Sequence, residues 1–271
     1  MDVTDIGSCD WRRIHDAHNH LSAMSRRVVA ITGGSRGIGR AIAELFHERG
    51  DAVAVGSRAA PAPALPSGIL HHRVDVRQQD ALRQFVQVVG ERLGPPDVFI
   101  NCAGISRWRA LGDIDAAFVE EIVTTSLHGT LWGCAAAAAV LPKGGCIINV
   151  SSLAGKRGSA NNSAYCAAKF AVNGITQSLA KELGPRGIRV NAVCPVYVET
   201  ERIVASLKEP DAPARGQSVK TYLSSFASSQ TALGRLPTAL EVAEVVYFLA
   251  SPAASAITGQ CINVDCGTLP Q

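Results

Sequence analysis

The stretch Thr32-Gly33-Gly34-Ser35-Arg36-Gly37-Ile38-Gly39 decides the fold of this chain. It follows a short apolar run, residues 28–32, that is typical of a buried strand, and it opens a segment, residues 37–49, whose apolar residues have helical spacing. Glycines let the backbone come close to a ligand, and the first turn of a helix offers free N–H groups and a positive dipole end to a phosphate. A glycine-rich turn alone is weak evidence, but this one lies where the first strand–helix turn of a dinucleotide-binding fold must lie.

Short apolar runs alternate with segments of helical spacing along the rest of the chain. Further strands are predicted at residues 52–56, 70–74, 98–101, 146–150, 190–193 and 261–264. Helices are predicted at residues 80–93, 115–140 with an interruption near Gly129 and Gly133, 163–183, and from the capping box Thr238-Ala-Leu-Glu241 to about 249. Because the strands are continuous rather than alternating apolar runs, they indicate a parallel sheet that helices cover on both faces. We therefore predict an α/β fold, a single Rossmann-type domain with a doubly wound parallel sheet of about seven strands.

Length and pattern together predict one domain. A chain of 271 residues has room for one large domain or two small ones, but it contains no internal repeat and no long linker. We expect residues 26–271 to form the domain, and residues 1–25, which have no periodic pattern, to be a flexible N-terminal extension. Residues 196–230 combine prolines with charges of both signs, which is typical of an irregular lid over a substrate pocket. Candidate walls of that pocket are Tyr197, Tyr222 and Phe226.

The composition excludes several classes of protein. With 26 basic and 23 acidic residues the net charge is only +3, so nucleic-acid binding through a basic surface is not expected. No apolar run is long enough to span a membrane, and the N-terminal residues are not of the secretory type, so we expect a cytoplasmic protein. The eight cysteines include no Cys-x-x-Cys pair and several lie in apolar runs, which favours reduced thiols over disulfides. We expect no metal site.

A tyrosine, a lysine and a serine form a candidate catalytic group. Tyr165 and Lys169 lie four residues apart in a predicted helix, so both project from one face. A tyrosine with an ordinary pKa near 10 needs help to exchange a proton at neutral pH. A lysine ammonium about 5 Å away, at an effective dielectric constant of about 20, contributes roughly 3 kcal/mol and lowers the tyrosine pKa. Ser152 lies thirteen residues upstream of the tyrosine, just after the strand that ends at Val150.

The order and spacing of these motifs resemble the short-chain dehydrogenase/reductase family, in its small single-domain branch. The resemblance extends from about Arg27 to Gly267. It rests on the glycine turn with its Gly-x3-Gly-x-Gly spacing, Asp75-Val76, Asn101-Cys-Ala-Gly104, Ser152, Tyr165-x3-Lys169 and Asn191-Ala-Val-Cys-Pro195.

This resemblance implies a role for each catalytic candidate. Tyr165 exchanges its hydroxyl proton with the oxygen of a ketone or secondary alcohol, and Ser152 polarises the same oxygen. Lys169 lowers the tyrosine pKa and holds the nicotinamide ribose. The hydride belongs to the nicotinamide cofactor.

Two positions depart from the family pattern. Ser126 stands where the family usually has an asparagine that supports a water-linked proton relay to the lysine, so we place Ser126 among the catalytic candidates and expect a rewired or weaker relay. Val196 follows Pro195 where the family usually has glycine, and we expect it to reshape the substrate side of the site.

NADP(H) is expected to be favoured over NAD(H). A carboxylate at the end of the second strand would bind the adenosine ribose and repel a 2′-phosphate, but this strand ends in Gly56-Ser57-Arg58 with no acid. Arg36 in the glycine turn adds a second cation, and two arginines with a serine hydroxyl suit a phosphate dianion. By the resemblance, the cofactor-binding residues are Gly33, Ser35, Arg36, Gly37, Ile38, Gly39, Ser57, Arg58, Asp75, Val76, Asn101, Ala103, Gly104, Tyr165, Lys169, Pro195, Val198 and Thr200.

The function expected from these residues is NADP(H)-dependent interconversion of a ketone and a secondary alcohol. A narrower form is the reduction of 3-oxoacyl groups on a carrier protein. Two alternatives stay open: an NAD-dependent secondary alcohol dehydrogenase of catabolism, and a non-catalytic protein that senses nucleotide on the same fold. The expected partner is a small carbonyl or alcohol substrate, with neither nucleic acid nor membrane, and the resemblance implies a homotetramer or homodimer.

Overall fold

Strands and helices alternate through residues 26–270, the part of the chain that the computed structural model describes. The extension predicted at residues 1–25 lies outside this range. The strands are β1 (Val28–Thr32), β2 (Ala52–Ser57), β3 (Leu70–Arg73), β4 (Val98–Asn101), β5 (Cys146–Val150), β6 (Arg189–Pro195) and β7 (Cys261–Val264). The α-helices in the described range are α1 (Gly37–Glu48), α2 (Gln79–Leu93), α3 (Ala116–Ile122), α4 (Gly129–Ala138), α5 (Ser163–Leu183), α6 (Glu201–Ser206), α7 (Val219–Gln230) and α8 (Ala239–Ala250). None of these helices is both long and apolar enough to cross a membrane.

The seven strands form one parallel sheet in the order β3-β2-β1-β4-β5-β6-β7. The chain builds outward from β1 to β3, then returns to place β4 on the other side of β1. This doubly wound topology confirms the predicted fold class. In such sheets ligands bind outside the carboxyl ends of the strands, where the strand order reverses. In this chain that point lies between the turn after β1 and the loop after β4.

An apolar layer covers each face of the sheet. On one face Phe85 of α2 and Cys134 of α4 pack against the strands, and on the other Phe46 of α1 and Val246 of α8 do so. Phe46 and Phe85 are fully buried, and each buried side chain of this size contributes about 2–3 kcal/mol to folding. The continuous apolar strands therefore have the two-sided burial that their sequence predicts.

The glycine turn closes tightly because two of its glycines leave no room for a side chain. A Cβ atom on Gly39 would lie 2.4 Å from the carbonyl oxygen of Gly33. Gly33 has φ +72°, and a Cβ there would lie 2.7 Å from the backbone of Ala103 in the loop after β4. Any larger residue at either position would open the turn. The turn and the loop after β4 are thereby held against each other.

The helix predicted over residues 115–140 is interrupted earlier than expected. A π-helical turn, Val123–His128, separates α3 from α4, and α4 begins at Gly129 rather than breaking there. Such a wide turn displaces backbone carbonyls from their usual partners. The hydroxyl of Thr130 donates to the carbonyl oxygen of Ser126 at 2.7 Å, and that of Thr124 donates to the carbonyl oxygen of Glu120. Threonine hydroxyls thus add hydrogen bonds to backbone carbonyls on both sides of the wide turn.

The lid, residues 196–230, is predicted to be irregular, but it contains two helices, α6 and α7. The side chains of Thr200 and Ser218 cap these helices by accepting hydrogen bonds from backbone N–H groups within them. Leu207 and Leu223 pack with Trp108 in a small apolar cluster beneath the lid. The serine-rich sequence of α7 has low helix propensity, so caps and tertiary packing stabilise these helices more than local sequence preference does.

Candidate active site

A cleft of about 1220 Å³ lies along the carboxyl ends of the strands, between the glycine turn and the lid. Most of the residues predicted to act in catalysis or cofactor binding line it. They are Gly33, Ser35, Arg36, Gly37, Ile38, Gly39, Ser57, Arg58, Asp75, Val76, Ala103, Gly104, Ser152, Tyr165, Lys169, Pro195, Val198 and Thr200. Side chains that are far apart in sequence therefore meet in one concave surface.

The end of the cleft beside β2 carries uncompensated positive charge. Arg36 and Arg58 are exposed and form no ion pair with any residue in the described range. Asp75 is the nearby carboxylate, but it accepts two hydrogen bonds from Nε of Arg77 and one from Nη2. These bonds hold the pKa of Asp75 below its usual value. The carboxylate is therefore ionised and already paired, which leaves the two arginines available to an anion.

The Ser57 hydroxyl is less available than the sequence suggests. It donates to the carbonyl oxygen of Ala59 at 2.7 Å and lies 2.8 Å from Nε2 of His71. A serine hydroxyl has one hydrogen to donate. The predicted hydrogen bond from Ser57 to a phosphate thus requires the contact with Ala59 to break.

Ser152, Tyr165 and Lys169 converge at the other end of the cleft. Ser152 follows β5, and its Oγ accepts a hydrogen bond from the N–H of Ala154 at 3.1 Å. Lys169 is 5% exposed, its Nζ donates to the carbonyl oxygen of Val150 at 2.8 Å, and it lies 5.8 Å from the centre of the Tyr165 ring. The end of one strand and one face of α5 thus bring the three side chains together.

Burial has the largest effect on the pKa values of Tyr165 and Lys169 at this end of the cleft. It raises the pKa of Tyr165 to about 12, against the opposing effect of hydrogen bonds with Ser152 and Ser106 and of the Arg202 charge. It also lowers the pKa of Lys169 to about 8. The sequence predicts that the lysine lowers the tyrosine pKa. The net shift of the Tyr165 pKa is upward, because removing the phenolate from water costs more than nearby positive charge returns. The lysine's own contribution to that pKa stays a prediction.

Asn101 differs from its prediction as a cofactor-binding residue. Its side chain is buried and does not line the cleft. Its amide donates to Oδ1 of Asn149 at 3.0 Å and to Sγ of Cys134 at 3.4 Å, and the amide of Asn149 donates in turn to Thr176. Asn101 therefore joins β4 to β5 and α4 behind the cleft, while its neighbours Cys102, Ala103 and Gly104 line the cleft.

Ser126 also lies behind the surface of the cleft. Its hydroxyl is fully buried in the π-helical turn and has no hydrogen-bond partner among the described residues. A methyl group on Gly104 would lie 3.9 Å from Oγ of Ser126 and 3.6 Å from Nζ of Lys169. Gly104 thus separates the hydroxyl from the ammonium group by the width of one small residue.

Two polar residues near Tyr165 escape prediction from sequence. Ser106 in the loop after β4 and Arg202 in the lid are both close enough to Tyr165 to lower its pKa. Neither belongs to a recognisable motif, and only the lid's mixed charge pointed towards Arg202. The aromatic walls proposed for the substrate side, in contrast, do line the cleft: the ring centre of Tyr197 lies 5.9 Å from that of Tyr222 and 4.9 Å from that of Phe226.

Comparison with known proteins places this arrangement in a family. A family model described as "Enoyl-(Acyl carrier protein) reductase" matches residues 33–268. The 3-oxoacyl-[acyl-carrier-protein] reductase of Mus musculus is 35% identical over 248 residues, which are 89% of this chain and 97% of that protein.

Two solved structures are similar over nearly their whole length. The aldohexose dehydrogenase of Thermoplasma acidophilum has a TM-score of 0.81 at 31% identity, over 91% of this chain and 98% of that one. A variant of actinorhodin polyketide ketoreductase, solved with NADPH, has a TM-score of 0.80 at 30% identity, over 90% and 97% of the two chains. The protein is therefore an oxidoreductase acting on CH–OH or C=O groups, and it belongs to the short-chain dehydrogenase/reductase family.

Proposed function

We propose that the protein is an NADP(H)-dependent ketoreductase in which Tyr165 exchanges a proton with the substrate oxygen. One observation carries this proposal: a single cleft joins unpaired arginines at one end to the tyrosine, serine and lysine at the other. The first end suits a phosphorylated adenosine, and the second suits the oxygen of a ketone or secondary alcohol. The actinorhodin ketoreductase, which was solved with NADPH, supports this choice of cofactor.

The residues of the cleft fit NADP(H). Beside β2 the described carboxylate is already paired with Arg77, so nothing opposes a 2′-phosphate next to Arg36 and Arg58. The glycine turn, which has no room for a side chain at Gly33 or Gly39, presents the N-terminus of α1 to a diphosphate. The remaining predicted cofactor-binding residues would hold the nucleosides along the cleft, except Asn101, whose side chain faces away from it.

The catalytic residues divide the work at the substrate oxygen. A bound NADPH supplies the hydride. Because burial keeps the pKa of Tyr165 high, its hydroxyl holds the proton at neutral pH and donates it to the oxygen during reduction. The Oγ of Ser152 accepts from Ala154, and its one hydrogen can turn from Tyr165 to the same substrate oxygen and polarise it. The carbonyl of Val150 uses one N–H group of Lys169, which leaves two for the tyrosine side and the ribose.

Arg58 is expected to set the cofactor preference. Arg58→Gln should lower kcat/KM for NADPH by about tenfold or more, because a charge-assisted hydrogen bond contributes about 1.5–3 kcal/mol. The value for NADH should stay unchanged, since NADH has no 2′-phosphate. Steady-state kinetics with both cofactors measure the effect. Arg83→Gln, which removes an exposed arginine of α2 outside the cleft, is the matched control. A wild-type enzyme with the higher kcat/KM for NADH would overturn the NADP(H) proposal.

Ser126→Asn restores the residue usual in the family and should give a kcat no lower than that of the wild type. The buried serine hydroxyl has no partner among the described residues, so it is placed to hold a water near Lys169, and a longer amide serves the same purpose. Turnover of the purified variant, with its melting temperature as a check on folding, tests this. A strong fall in kcat in a stably folded variant would mean that serine has a role of its own.

The substrate is best sought with a panel of ketones and secondary alcohols, each assayed with both cofactors. The aromatic walls of Tyr197, Tyr222 and Phe226 favour substrates with a flat apolar part. Preferential oxidation of alcohols with NAD would instead support the catabolic dehydrogenase. A 3-oxoacyl thioester reduced only on its carrier protein would support the narrower carrier-bound form, which the mouse relative's name suggests.

We also propose that the protein forms a homo-oligomer, a homodimer or homotetramer. Leu131 on α4 and Phe170 on α5 are exposed apolar side chains on helices at the surface, and a second copy of the chain would cover them.

A further inference from the structure

Arg202 is a half-buried arginine whose charge has no partner among the described residues. It lies on α6 in the lid and lines the cleft. Unlike Arg107, which binds both Glu121 and Glu209, it donates no hydrogen bond to any group between residues 26 and 270. A cation that loses part of its hydration without gaining an acceptor is unfavourable. Arg202 is therefore placed where an anion in the cleft would pair with its charge.

The groups around Arg202 supply no such anion. Burial and the positive charges of Arg36 and Arg58 lower the pKa of Arg202, while Glu121 and Tyr165 act weakly in the opposite direction. The carboxylate of Glu121 already accepts a hydrogen bond from Arg107 at 3.0 Å. Arg202 thus lies between the arginines of the adenosine end and the tyrosine of the catalytic end.

Specific contacts hold the lid, and with it Arg202, in this position. The hydroxyl of Ser206 donates to the carbonyl oxygen of Ser106 at 2.8 Å. The carboxylate of Glu209 accepts from the backbone N–H of Trp108 at 3.1 Å and from Nε of Arg107 at 2.9 Å. Because these bonds fix the end of α6 to the loop after β4, the direction of Arg202 is set by the fold.

The start of α6 lies against the glycine turn. Thr200 caps this helix, and its Cγ2 would be 3.3 Å from a Cβ atom on Gly37, the first residue of α1. Arg202 follows two residues later. The lid therefore places the start of the helix that carries Arg202 against the N-terminal end of α1.

We propose that Arg202 binds the diphosphate of a bound dinucleotide from the lid side, opposite the glycine turn. The inference rests on the proposed nucleotide-dependent function and adds to it a residue outside the predicted cofactor set. A guanidinium and the N-terminus of α1 then face the same two phosphates from opposite sides. Arg36 and Arg58 remain for the 2′-phosphate. The lid and the cofactor are thereby linked, since the lid supplies one of the diphosphate ligands.

Fragments of the dinucleotide distinguish binding of the diphosphate from binding of the 2′-phosphate. Isothermal titration calorimetry measures the Kd values of two such fragments. ADP-ribose has the diphosphate and no 2′-phosphate, whereas 2′-AMP has the 2′-phosphate and no diphosphate. Arg202→Gln should weaken the binding of ADP-ribose, NADH and NADPH by a similar factor of about tenfold or more and leave the Kd of 2′-AMP unchanged. Arg58→Gln should weaken the binding of 2′-AMP and NADPH and leave the Kd of ADP-ribose unchanged. Arg202→Lys should retain part of the affinity, because it keeps the charge and loses the planar fork.

Lys208→Gln is the matched control, because it removes an exposed charge from the same lid outside the cleft. Its ADP-ribose affinity should equal that of the wild type. If Arg202→Gln binds ADP-ribose as the wild type does and raises only the KM of the carbonyl substrate, Arg202 serves the substrate and the proposal is wrong. Loss of 2′-AMP affinity to the same extent would assign Arg202 to the 2′-phosphate and equally overturn it. A wild-type protein that binds neither NADPH nor ADP-ribose would refute the proposed function itself.

Discussion

Tyr165→Phe is expected to lower kcat by about 10³-fold, within the range that a positioned acid or base contributes. The substitution removes only the hydroxyl that holds the transferable proton. The ring stays, so the packing around α5 is kept, and the Kd for NADPH should rise by no more than about tenfold, which is the contribution of one neutral hydrogen bond. Single-turnover kinetics measure the first quantity, and NADPH fluorescence titration measures the second.

Tyr247→Phe provides the matched control, because it removes a tyrosine hydroxyl from α8, whose ring packs on Phe46 outside the cleft. Its kcat should equal that of the wild type. If Tyr165→Phe kept full turnover, the proposed proton donor would be wrong. If the wild type bound NADPH and turned over nothing in a broad panel of ketones and alcohols, the non-catalytic alternative would gain support.

Lys169→Met should lower kcat by about a hundredfold or more, because an ammonium group near Tyr165 contributes roughly 3 kcal/mol at an effective dielectric constant of about 20. Methionine keeps much of the apolar volume and removes both the charge and the donor to Val150. The Kd for NADPH should rise as well, since the lysine is proposed to hold the ribose.

The same variant changes how stability depends on pH. Burial lowers the pKa of Lys169 from 10.5 to about 8, so between these values the folded protein binds fewer protons than the unfolded chain. The free energy of unfolding of the wild type, relative to Lys169→Met, should therefore rise between pH 8 and pH 10.5, by up to about 3 kcal/mol. Below pH 8 the cost of the buried charge is fully present. Urea unfolding of both proteins at pH 7 and pH 10 measures the difference, and equal changes in the two proteins would contradict it.

The alternation of strands and helices and the placing of Tyr165 and Lys169 on one helix face could be predicted because both depend on local spacing. The glycine turn needs Gly33 and Gly39 for steric reasons that hold in any chain with this turn. Tyr165 and Lys169 share a helix face simply because they are four residues apart. Such features can be predicted without any knowledge of tertiary contacts.

Other features depend on contacts that the sequence does not reveal. Asn101 ends a strand buried on both faces, so no alternation of polar and apolar residues tells whether its side chain faces the cleft or the rear. The helices of the lid form through caps and packing on Trp108 rather than through strong periodicity. The raised pKa of Tyr165 and the missing partner of Arg202 each require knowledge of what lies around the side chain in three dimensions.

The unpaired arginines of the cleft have a consequence for the speed of nucleotide capture. A net charge of +3 is small for the whole chain, but Arg36, Arg58 and Arg202 concentrate positive potential in one concave surface with low-dielectric walls. Such a surface attracts polyanions over distances of about a Debye length, roughly 8 Å at physiological ionic strength. We therefore expect association of the proposed phosphorylated dinucleotide to be fastest in dilute buffer and to slow as salt is added, and entry of an uncharged ketone to be independent of salt.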